Sequence, residues 1–159
     1  MSGKRGYVAL LLMLSSLPAA AATTNLTIRG NILLPPPCVI NGEQTIEVDF
    51  TDEVMTTRVD GINYSQSVPY SLECTGSSSN ALKMQIQGME AGFAGALQTT
   101  IGNLGIALSR DGQAMPVNSW LNFSPTNPPK LFATLVKRPG TTLKANPFTA
   151  GATMVVDYQ

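Results

Sequence analysis

Apolar and polar residues alternate along the N-terminal part of this chain, before the first cysteine. In the stretch 24–34, one set of alternate positions holds Leu26, Ile28, Gly30, Ile32 and Leu34. Because successive side chains of a strand point to opposite faces, this set shares one face of an extended segment. We expect a strand that carries a row of apolar side chains with one gap at the glycine. A simple bulge or turn is the alternative interpretation of that glycine.

The last residues of the chain alternate in the same way. Met154, Val156 and Tyr158 fall on one face of a C-terminal strand, and Gln159 follows them. A β-domain with a loosely attached first strand and a strand at its very end is suited to exchanging strands with other chains. We therefore expect both terminal segments to take part in contacts between molecules.

Between these segments the strand signals are short and are separated by turn residues such as Asn41-Gly42 and Asp111-Gly112. No stretch of ten residues shows a 3.6-residue period, and the chain has 14 Gly and 11 Pro. This pattern predicts an all-β protein, an antiparallel sandwich of the immunoglobulin-like kind. The runs that predict strands are 45–50, 64–74, 81–87, 104–108, 117–123, 131–136 and 149–158.

The run 45–50 alternates between apolar and acidic side chains. Ile46, Val48 and Phe50 are expected to face the core, and Glu47 and Asp49 are expected to face solvent. We interpret the two carboxylates as solvating charges, because the acidic residues of the chain are scattered without a convergent pair.

Residues 1–22 have the three parts of a secretory signal. Basic Lys4 and Arg5 come first, an apolar run from Val8 to Leu14 follows, and small residues precede a cleavage site expected after Ala22. The apolar run is far shorter than the roughly 20 residues that cross a bilayer. We therefore expect an exported protein without a membrane anchor.

Three consecutive prolines, Pro35 to Pro37, predict a hinge between an arm of residues 23–36 and a body of residues 37–159. Consecutive prolines hold the chain extended and cannot donate to a sheet ladder. The body is expected to be a single domain with its own hydrophobic core. The alternative is that the arm is the first strand of the same sandwich.

Charge and composition exclude several functions. The whole chain has 10 basic and 10 acidic side chains, and removal of Lys4 and Arg5 with the leader gives a net charge of about −2. Without clusters of Lys and Arg, no nucleic-acid-binding surface is expected. The chain has no histidine, which excludes an ordinary Ser-His-Asp triad. We expect neither an enzyme nor a protein that binds a cofactor or a metal ion.

Cys38 and Cys74 are the two cysteines of the chain. An even number of cysteines in an exported protein favours a disulfide. Closing a loop of about 37 residues stabilises the fold by roughly 3–4 kcal/mol in the chain-entropy model. Zinc binding is the implausible alternative, because two thiols without histidine do not complete a tetrahedral site.

Taken in order, these features resemble those of the subunits of bacterial chaperone–usher pili, or fimbriae. The stretches from Ile28 to Ile32 and from Val48 to Phe50 most resemble minor, P-pilus-like tip subunits. The resemblance covers the whole mature chain, and its parts are the leader, the alternating arm with Gly30, Pro36-Pro37-Cys38, Cys74, the run from Gly105 to Leu108, and Tyr158 as the penultimate residue.

The resemblance implies an incomplete immunoglobulin-like antiparallel sandwich that lacks its last strand, with an N-terminal donor-strand extension. A periplasmic chaperone would lend a strand to the open groove. At the outer-membrane usher, the arm of a neighbouring pilin subunit would replace it, which is a form of β-strand addition. Leu26, Ile28, Ile32 and Leu34 would fill the groove and Gly30 would lie where it is tightest. Four such side chains would contribute roughly 6–12 kcal/mol before ordering costs.

The resemblance also implies a role for the C-terminal strand. Met154, Val156 and Tyr158 would face the chaperone, and basic residues of the chaperone would hold the carboxylate of Gln159. Asn146 departs from the family pattern, in which glycine is common at this distance from the end, but Asn tolerates the left-handed backbone. The implied function is a minor structural subunit, in a tip or adaptor position, of a cell-surface fimbrium that serves cell adhesion.

A secreted, single-domain carbohydrate-binding sandwich is the competing function. Trp120 with Asn118, Asn122 and Phe123 could form a stacking platform for a sugar. A single Trp in a small β-domain is more often part of the core, which favours the pilin interpretation. A lectin-like domain would stay soluble without the arm, whereas an incomplete pilin would aggregate without a chaperone or a donor peptide.

Overall fold

The computed structural model describes residues 27, 29–30, 38–51, 53–75 and 81–159. The chain divides into two compact units, Met1–Leu33 and Leu34–Gln159. In the first unit, the described residues are Thr27, Arg29 and Gly30, and all three are exposed. The predicted leader and the four apolar residues of the arm lie outside the described residues. Within the described ranges, no helix is both long enough and apolar enough to cross a membrane.

The second unit is built from β-strands and two 3-10 turns, Asn41–Glu43 and Thr56–Arg58. No α-helix occurs in the described part of the chain, which agrees with the missing 3.6-residue period of the sequence. The described strands, in chain order, are β1 (Val39–Ile40), β2 (Ser65–Ser67), β3 (Leu72–Glu73), β4 (Leu82–Gly88), β5 (Leu97–Gln98), β6 (Leu104–Arg110), β7 (Gln113–Ala114), β8 (Trp120–Phe123), β9 (Leu131–Lys137) and β10 (Ala152–Tyr158).

The described strands form three antiparallel sheets. One sheet has the order β2-β9-β6-β5, with β7 paired to β6; a second has the order β10-β4-β8; the third is the pair β1-β3. Two long pairings dominate. β6 pairs with β9 from Leu104↔Lys137 to Arg110↔Leu131, and β10 pairs with β4 from Ala152↔Gly88 to Tyr158↔Leu82. The all-β antiparallel prediction is confirmed.

Alternation along the strands decides which side chains enter the core. Leu82 and Met84 of β4 and Leu135 of β9 are completely buried. The buried residues form two clusters. The first cluster is Phe50, Val59, Leu97, Leu104, Ile106, Val117, Ala133, Leu135 and Leu143. The second cluster is Cys38, Leu82, Met84, Ile86, Met115, Leu121, Leu131 and Val156.

Cys38 and Cys74 form a disulfide, as the sequence predicts. Their Cα atoms are 4.1 Å apart, and the pairing Val39↔Glu73 places β1 and β3 side by side next to the bond. Cys38 is buried in the second cluster. The disulfide therefore anchors the first strand of the second unit to the core.

Four predicted strands differ from the structure: the run 64–74 is divided into β2 and β3, the run 45–50 does not form a paired strand, and two further strands are shorter than the alternation suggests. In the run 117–123, the strand begins only at Trp120, because Asn118 has a left-handed φ of 63° that interrupts the extended chain. In the run 149–158, strand pairing begins only at Ala152. In β10 the predicted face keeps its direction, because Val156 is buried and Met154 and Tyr158 pack against the same cluster.

Candidate functional site: a groove between two unpaired segments

A groove of about 850 Å³ lies in the second unit. Two segments border it: residues 45–51, which we name the first wall, and residues 143–151, the second wall. Its floor is apolar and draws on both core clusters and on Leu108, which packs against each of them. The floor is therefore the interior of the sandwich itself. Floor residues include Ile86, Leu97, Leu104, Ile106, Leu108, Met115, Leu131 and Ala133.

The first wall alternates as predicted but is not a paired strand. Phe50 is buried and Ile46 and Val48 are half-buried, whereas Glu47 and Asp49 are exposed. Within the described residues, no backbone hydrogen bond joins residues 45–50 to another part of the main chain. Its N–H and C=O groups therefore form an edge that can pair with an added strand.

The second wall is anchored mainly at its C-terminal end. The N–H of Thr100 donates to the carbonyl of Thr149 over 3.0 Å, and the N–H of Thr149 donates to Oγ1 of Thr100 over 3.1 Å. The rings of Phe148 and Phe50 lie with their centroids 6.1 Å apart, so the two walls meet at one place. Residues 144–147 are exposed and have no strand partner among the described residues.

The second wall leads directly into β10, which is an edge strand. One edge of β10 pairs with β4, and no described strand pairs with its other edge. Ala152 and Met154 of β10 also line the groove. The groove is thus bordered by the first wall and, on the other side, by the second wall and the free edge of β10, above an apolar floor.

This arrangement suits the binding of one extended peptide strand. The floor side chains are nearly buried, but apolar surface that still lines an open groove is unfavourable by about 25 cal/mol per Å². Unpaired backbone groups away from water are costly as well. A strand with apolar side chains at alternate positions would cover the floor and pair with both borders. The geometry therefore supports strand addition.

Among the residues predicted to be functional, the C-terminal group is described in full. Met154 lines the groove, and Val156 is buried in the second cluster, against which Met154 and Tyr158 pack. Gln159 continues the pairing with β4, because its Nε2 donates to the carbonyl of Leu82 over 2.7 Å. These contacts show why Met154, Val156 and Tyr158 share a face.

The N-terminal group is described only at one position. Gly30 is exposed, whereas Leu26, Ile28, Ile32 and Leu34 lie outside the described residues. Their role as a donor strand stays a prediction.

Sequence reasoning missed the second wall. Leu143 is buried, Phe148 is half-buried, and both line the groove. They are five residues apart, so they do not follow the period-two pattern that identifies strands. The available signal was one apolar residue before Lys144 and another after Asn146, which indicates a segment lying on a core.

Trp120 was expected to be part of the core, and this expectation is wrong. Its side chain is 47% exposed, and Nζ of Lys83 lies over the ring, 4.8 Å from the centroid. Of the residues considered for a sugar platform, Asn122 is exposed on the same face of β8 as Trp120, whereas the other two make contacts elsewhere. Asn118 uses its amide to bond the backbone of Gly88 in both directions, each over 3.0 Å, and Phe123 packs against the second cluster.

The chemistry of the described side chains is structural. Within the described ranges, no group of three or more His, Cys, Asp or Glu residues could hold a metal ion. Burial, helped by the charge of Asp111, raises the pKa of Tyr70 to about 12. The Tyr70 hydroxyl donates a hydrogen bond to the carbonyl of Pro129, and the ring packs against the second cluster. The hydroxyl therefore keeps its proton at neutral pH and can donate this hydrogen bond.

Two curated relatives are similar to almost the whole chain. The uncharacterized fimbrial-like protein YfcR of Escherichia coli (strain K12) is 40% identical over 147 residues, which cover 89% of this chain and 84% of YfcR. The uncharacterized fimbrial-like protein YfcQ of the same organism is 35% identical over 156 residues, which cover 94% of this chain and 96% of YfcQ.

Solved structures show the same fold. The P pilus rod subunit PapA has a TM-score of 0.60 at 18% identity, over 84% of this chain and 99% of PapA. The P pilus adaptor subunit PapF has a TM-score of 0.55 at 23% identity, over 78% of this chain and 97% of PapF. The fold is therefore the incomplete immunoglobulin-like sandwich of chaperone–usher pilins, as the sequence predicts.

The fimbrial protein family matches residues 26–159 of this chain. This match includes both walls of the groove, the disulfide and β10. With this match and with relatives at 35% and 40% identity, the chain belongs to the fimbrial protein family and is a structural subunit of a surface pilus.

Proposed function

We propose that this pilin polymerises by donor-strand exchange, in which its groove accepts the arm of a neighbouring subunit and its own arm enters the groove of another. The observation that supports this function is the apolar groove between two segments that lack strand partners in the described chain. The proposal assigns residues 1–22 to a signal peptide, residues 23–36 to the donor-strand extension and residues 37–159 to the pilin domain.

The donor strand would act through Leu26, Ile28, Ile32 and Leu34, with Gly30 at the tightest part of the groove. Their burial would supply roughly 6–12 kcal/mol before ordering costs, and the backbone would add hydrogen bonds to both borders. Each such bond contributes about 0.5–1.5 kcal/mol net. A link of this strength would dissociate rarely, which suits a fibre outside the cell.

Before assembly, a periplasmic chaperone would cover the groove and pair with the free edge of β10. Met154, Val156 and Tyr158 fix this strand to the core, so its edge is held ready for a partner. Exchange of the chaperone strand for an arm would take place at the outer-membrane usher. No membrane anchor on the chain is needed for this route.

The decisive experiment changes the arm of the full chain. Ile28→Asp or Ile32→Asp would place a charge on the apolar face of the donor strand, and burying an unpaired carboxylate is strongly unfavourable. We expect these variants to reach the periplasm, to be captured by the chaperone and to be absent from fibres, as measured by immunoblotting of sheared fimbriae.

Thr27→Lys is the control, because it puts a single charge on the opposite, outer face of the same strand. Fibres that contain the Ile28→Asp variant at the level of the unchanged chain would refute the donor-strand role. Loss of the protein from the periplasm with all three variants would instead indicate a folding or export defect, which recovery of the chaperone complex separates from an assembly defect.

We further propose a tip or adaptor position in a cell-adhesion fimbrium. The support is the sequence pattern of Ile28 to Ile32 and of Val48 to Phe50, which resembles that of minor tip subunits. The test is affinity purification of fimbriae through a tag on this chain, with counting of copies per fibre by quantitative mass spectrometry. A count in the hundreds, as for a subunit that forms a long rod, would contradict this position.

A further inference from the structure

The rim of the groove carries an asymmetric charge. Glu47 and Asp49 are exposed on the first wall and line the groove, while Val48 between them faces the core. The described part of the chain has one salt bridge, between Lys83 and Asp157, so neither wall carboxylate is neutralised by a described cation. The Asp49 side chain accepts the N–H of Thr51 over 3.0 Å, which holds the carboxylate at the rim.

The second wall contributes one cation to the rim. Lys144 is exposed next to the buried Leu143 and lines the groove. With Glu47 and Asp49 on the other wall, the rim has two negative charges and one positive charge. A donor strand with a cation on its outer face is therefore favoured over a donor strand with an anion.

The arm of this same chain has such a cation. When its apolar residues face the floor, the outer face carries Asn25, Thr27, Arg29, Asn31 and Leu33. Arg29 is the single charge among them, and it is exposed in the structure.

One register brings Arg29 to the acidic pair in either direction of insertion. Residue 30 is the centre of the segment 26–34, and residue 48 is the centre of the first wall; in a donor strand whose apolar face covers the floor, residue 30 would face the floor as residue 48 does. If these centres lie side by side, Arg29 is opposite Glu47 in one direction and opposite Asp49 in the other. Directly opposed side chains have Cβ atoms roughly 4.5–5.5 Å apart, and the other carboxylate is about two residues away, which is within reach of an arginine side chain.

We propose that the groove of one copy accepts residues 24–34 of a second copy of this chain, with Arg29 over Glu47 and Asp49. The inference rests on the proposed function and adds the identity of the neighbour. Arm and groove are different surfaces, so the contact is heterologous and joins copies head to tail. In the tip or adaptor position proposed above, this run of copies is short. Rim charges contribute specificity and association rate more than affinity, and so they select which arm enters.

The test uses an acceptor that cannot donate. A mature chain with Ile28→Asp and Ile32→Asp keeps its groove unchanged, and it is refolded with fluorescent peptides whose binding is followed by anisotropy. The first peptide has the natural sequence 24–34. The second carries Arg29→Glu, and the third carries Thr27→Arg with Arg29→Thr, which keeps the net charge and moves its position.

We expect the natural peptide to bind about three- to tenfold more tightly than the Arg29→Glu peptide, as two partly exposed charge pairs are exchanged for repulsion. The ratio should shrink as salt rises, because exposed charges are screened. The peptide with the moved arginine should bind more weakly than the natural one. In an acceptor that also carries Glu47→Arg and Asp49→Arg, the order should reverse and favour the Arg29→Glu peptide.

The second-copy assignment is tested with the full mature chain. Two differently tagged, otherwise unchanged copies should co-purify as head-to-tail oligomers, and Arg29→Glu should reduce that association. Mixing Arg29→Glu chains with Glu47→Arg/Asp49→Arg chains should restore it. Restored association would show that the two charges interact, because a structural defect in either variant would persist in the mixture.

Three results would overturn the inference. Equal binding of the natural and the Arg29→Glu peptides would remove the role of the charges while the donor-strand function stands. Weak association that the charge-swapped pair does not restore would show that the variants act elsewhere. Binding of none of the peptides would overturn the donor-strand function, and the identity of the neighbour with it.

Discussion

The two sides of this sandwich differ in how far the chain itself completes them. On the side of β4, β8 and β10, seven consecutive residue pairs join β10 to β4, and Leu82 and Met84 are completely buried. On the side of the groove, the first wall has the same alternation of apolar and polar residues but no strand partner in the described chain. The difference shows that alternation decides which side chains of a strand face the core. Covering that core also requires a neighbouring strand along each edge of the segment.

Stability and assembly are therefore assigned to different sides. The closed side has the disulfide, the second cluster and the hydrogen-bonded Tyr70, and we expect it to set the free energy of unfolding. The open side has an apolar floor and two unpaired borders, and we expect it to respond mainly to a donor strand. Variants on the two sides separate these roles.

The largest effect is expected on the closed side. Leu82→Ala should lower the free energy of unfolding by about 2–5 kcal/mol, because it leaves a cavity at a fully buried position. Urea denaturation of the mature chain, refolded with the same saturating concentration of peptide 24–34 for every variant, measures this change. Val39→Ala, at a residue that is 43% exposed, is the control and should change the free energy by less than about 0.5 kcal/mol. Similar effects of the two variants would contradict the placement of the core.

The disulfide should rank next. Replacing both Cys38 and Cys74 by Ser should lower the free energy of unfolding by roughly 2–4 kcal/mol, since the loop of the unfolded chain is no longer closed. The comparison is the unchanged chain under reducing conditions, which should lose a similar amount. A double variant as stable as the oxidised chain would show that the second cluster alone holds β1 in place.

A donor peptide should protect the borders of the groove, which include the free edge of β10. At a free concentration one hundred times its dissociation constant, the peptide 24–34 should raise the free energy of unfolding by about 2.7 kcal/mol. Amide hydrogen exchange should slow along residues 45–51, 143–151 and 152–158, and it should change little along β8. Slower amide exchange along β8, without slower exchange along the two walls, would show that the peptide binds outside the groove.

The smallest effect concerns Tyr70. Its pKa is raised from 10.0 to about 12 in the folded protein, so between these values the unfolded state loses a proton that the folded state keeps. The contribution of Tyr70 to the free energy of unfolding should therefore be fully present below pH 10. It should be lost as the pH rises from 10 to about 12. Tyr70→Phe should make the fall less steep, at a cost of about 1 kcal/mol at neutral pH for the lost hydrogen bond. An unchanged slope between pH 10 and 12 would contradict this assignment.

The outer face of the closed side shows how a sequence expectation fails. Trp120 was expected in the core because a single Trp usually lies there, yet it is exposed with Lys83 over its ring. Alternation places Trp120 and Leu121 on opposite faces of β8, but it does not indicate which of the two faces packs against the core. The folded structure shows that it is the face of Leu121, which is buried.

The sequence by itself determined the class of the fold, the faces of the strands and the cysteine pair, because these depend on local alternation, turn residues and the parity of two thiols. Ile46, Val48 and Phe50 illustrate this, since their inward direction follows from period two alone. Only the tertiary structure decided that residues 45–51 have no strand partner in the described chain, that residues 143–151 form the second wall and that Trp120 is exposed. Strand pairing and the covering of a face depend on segments distant in the sequence, and no local pattern specifies which of them meet.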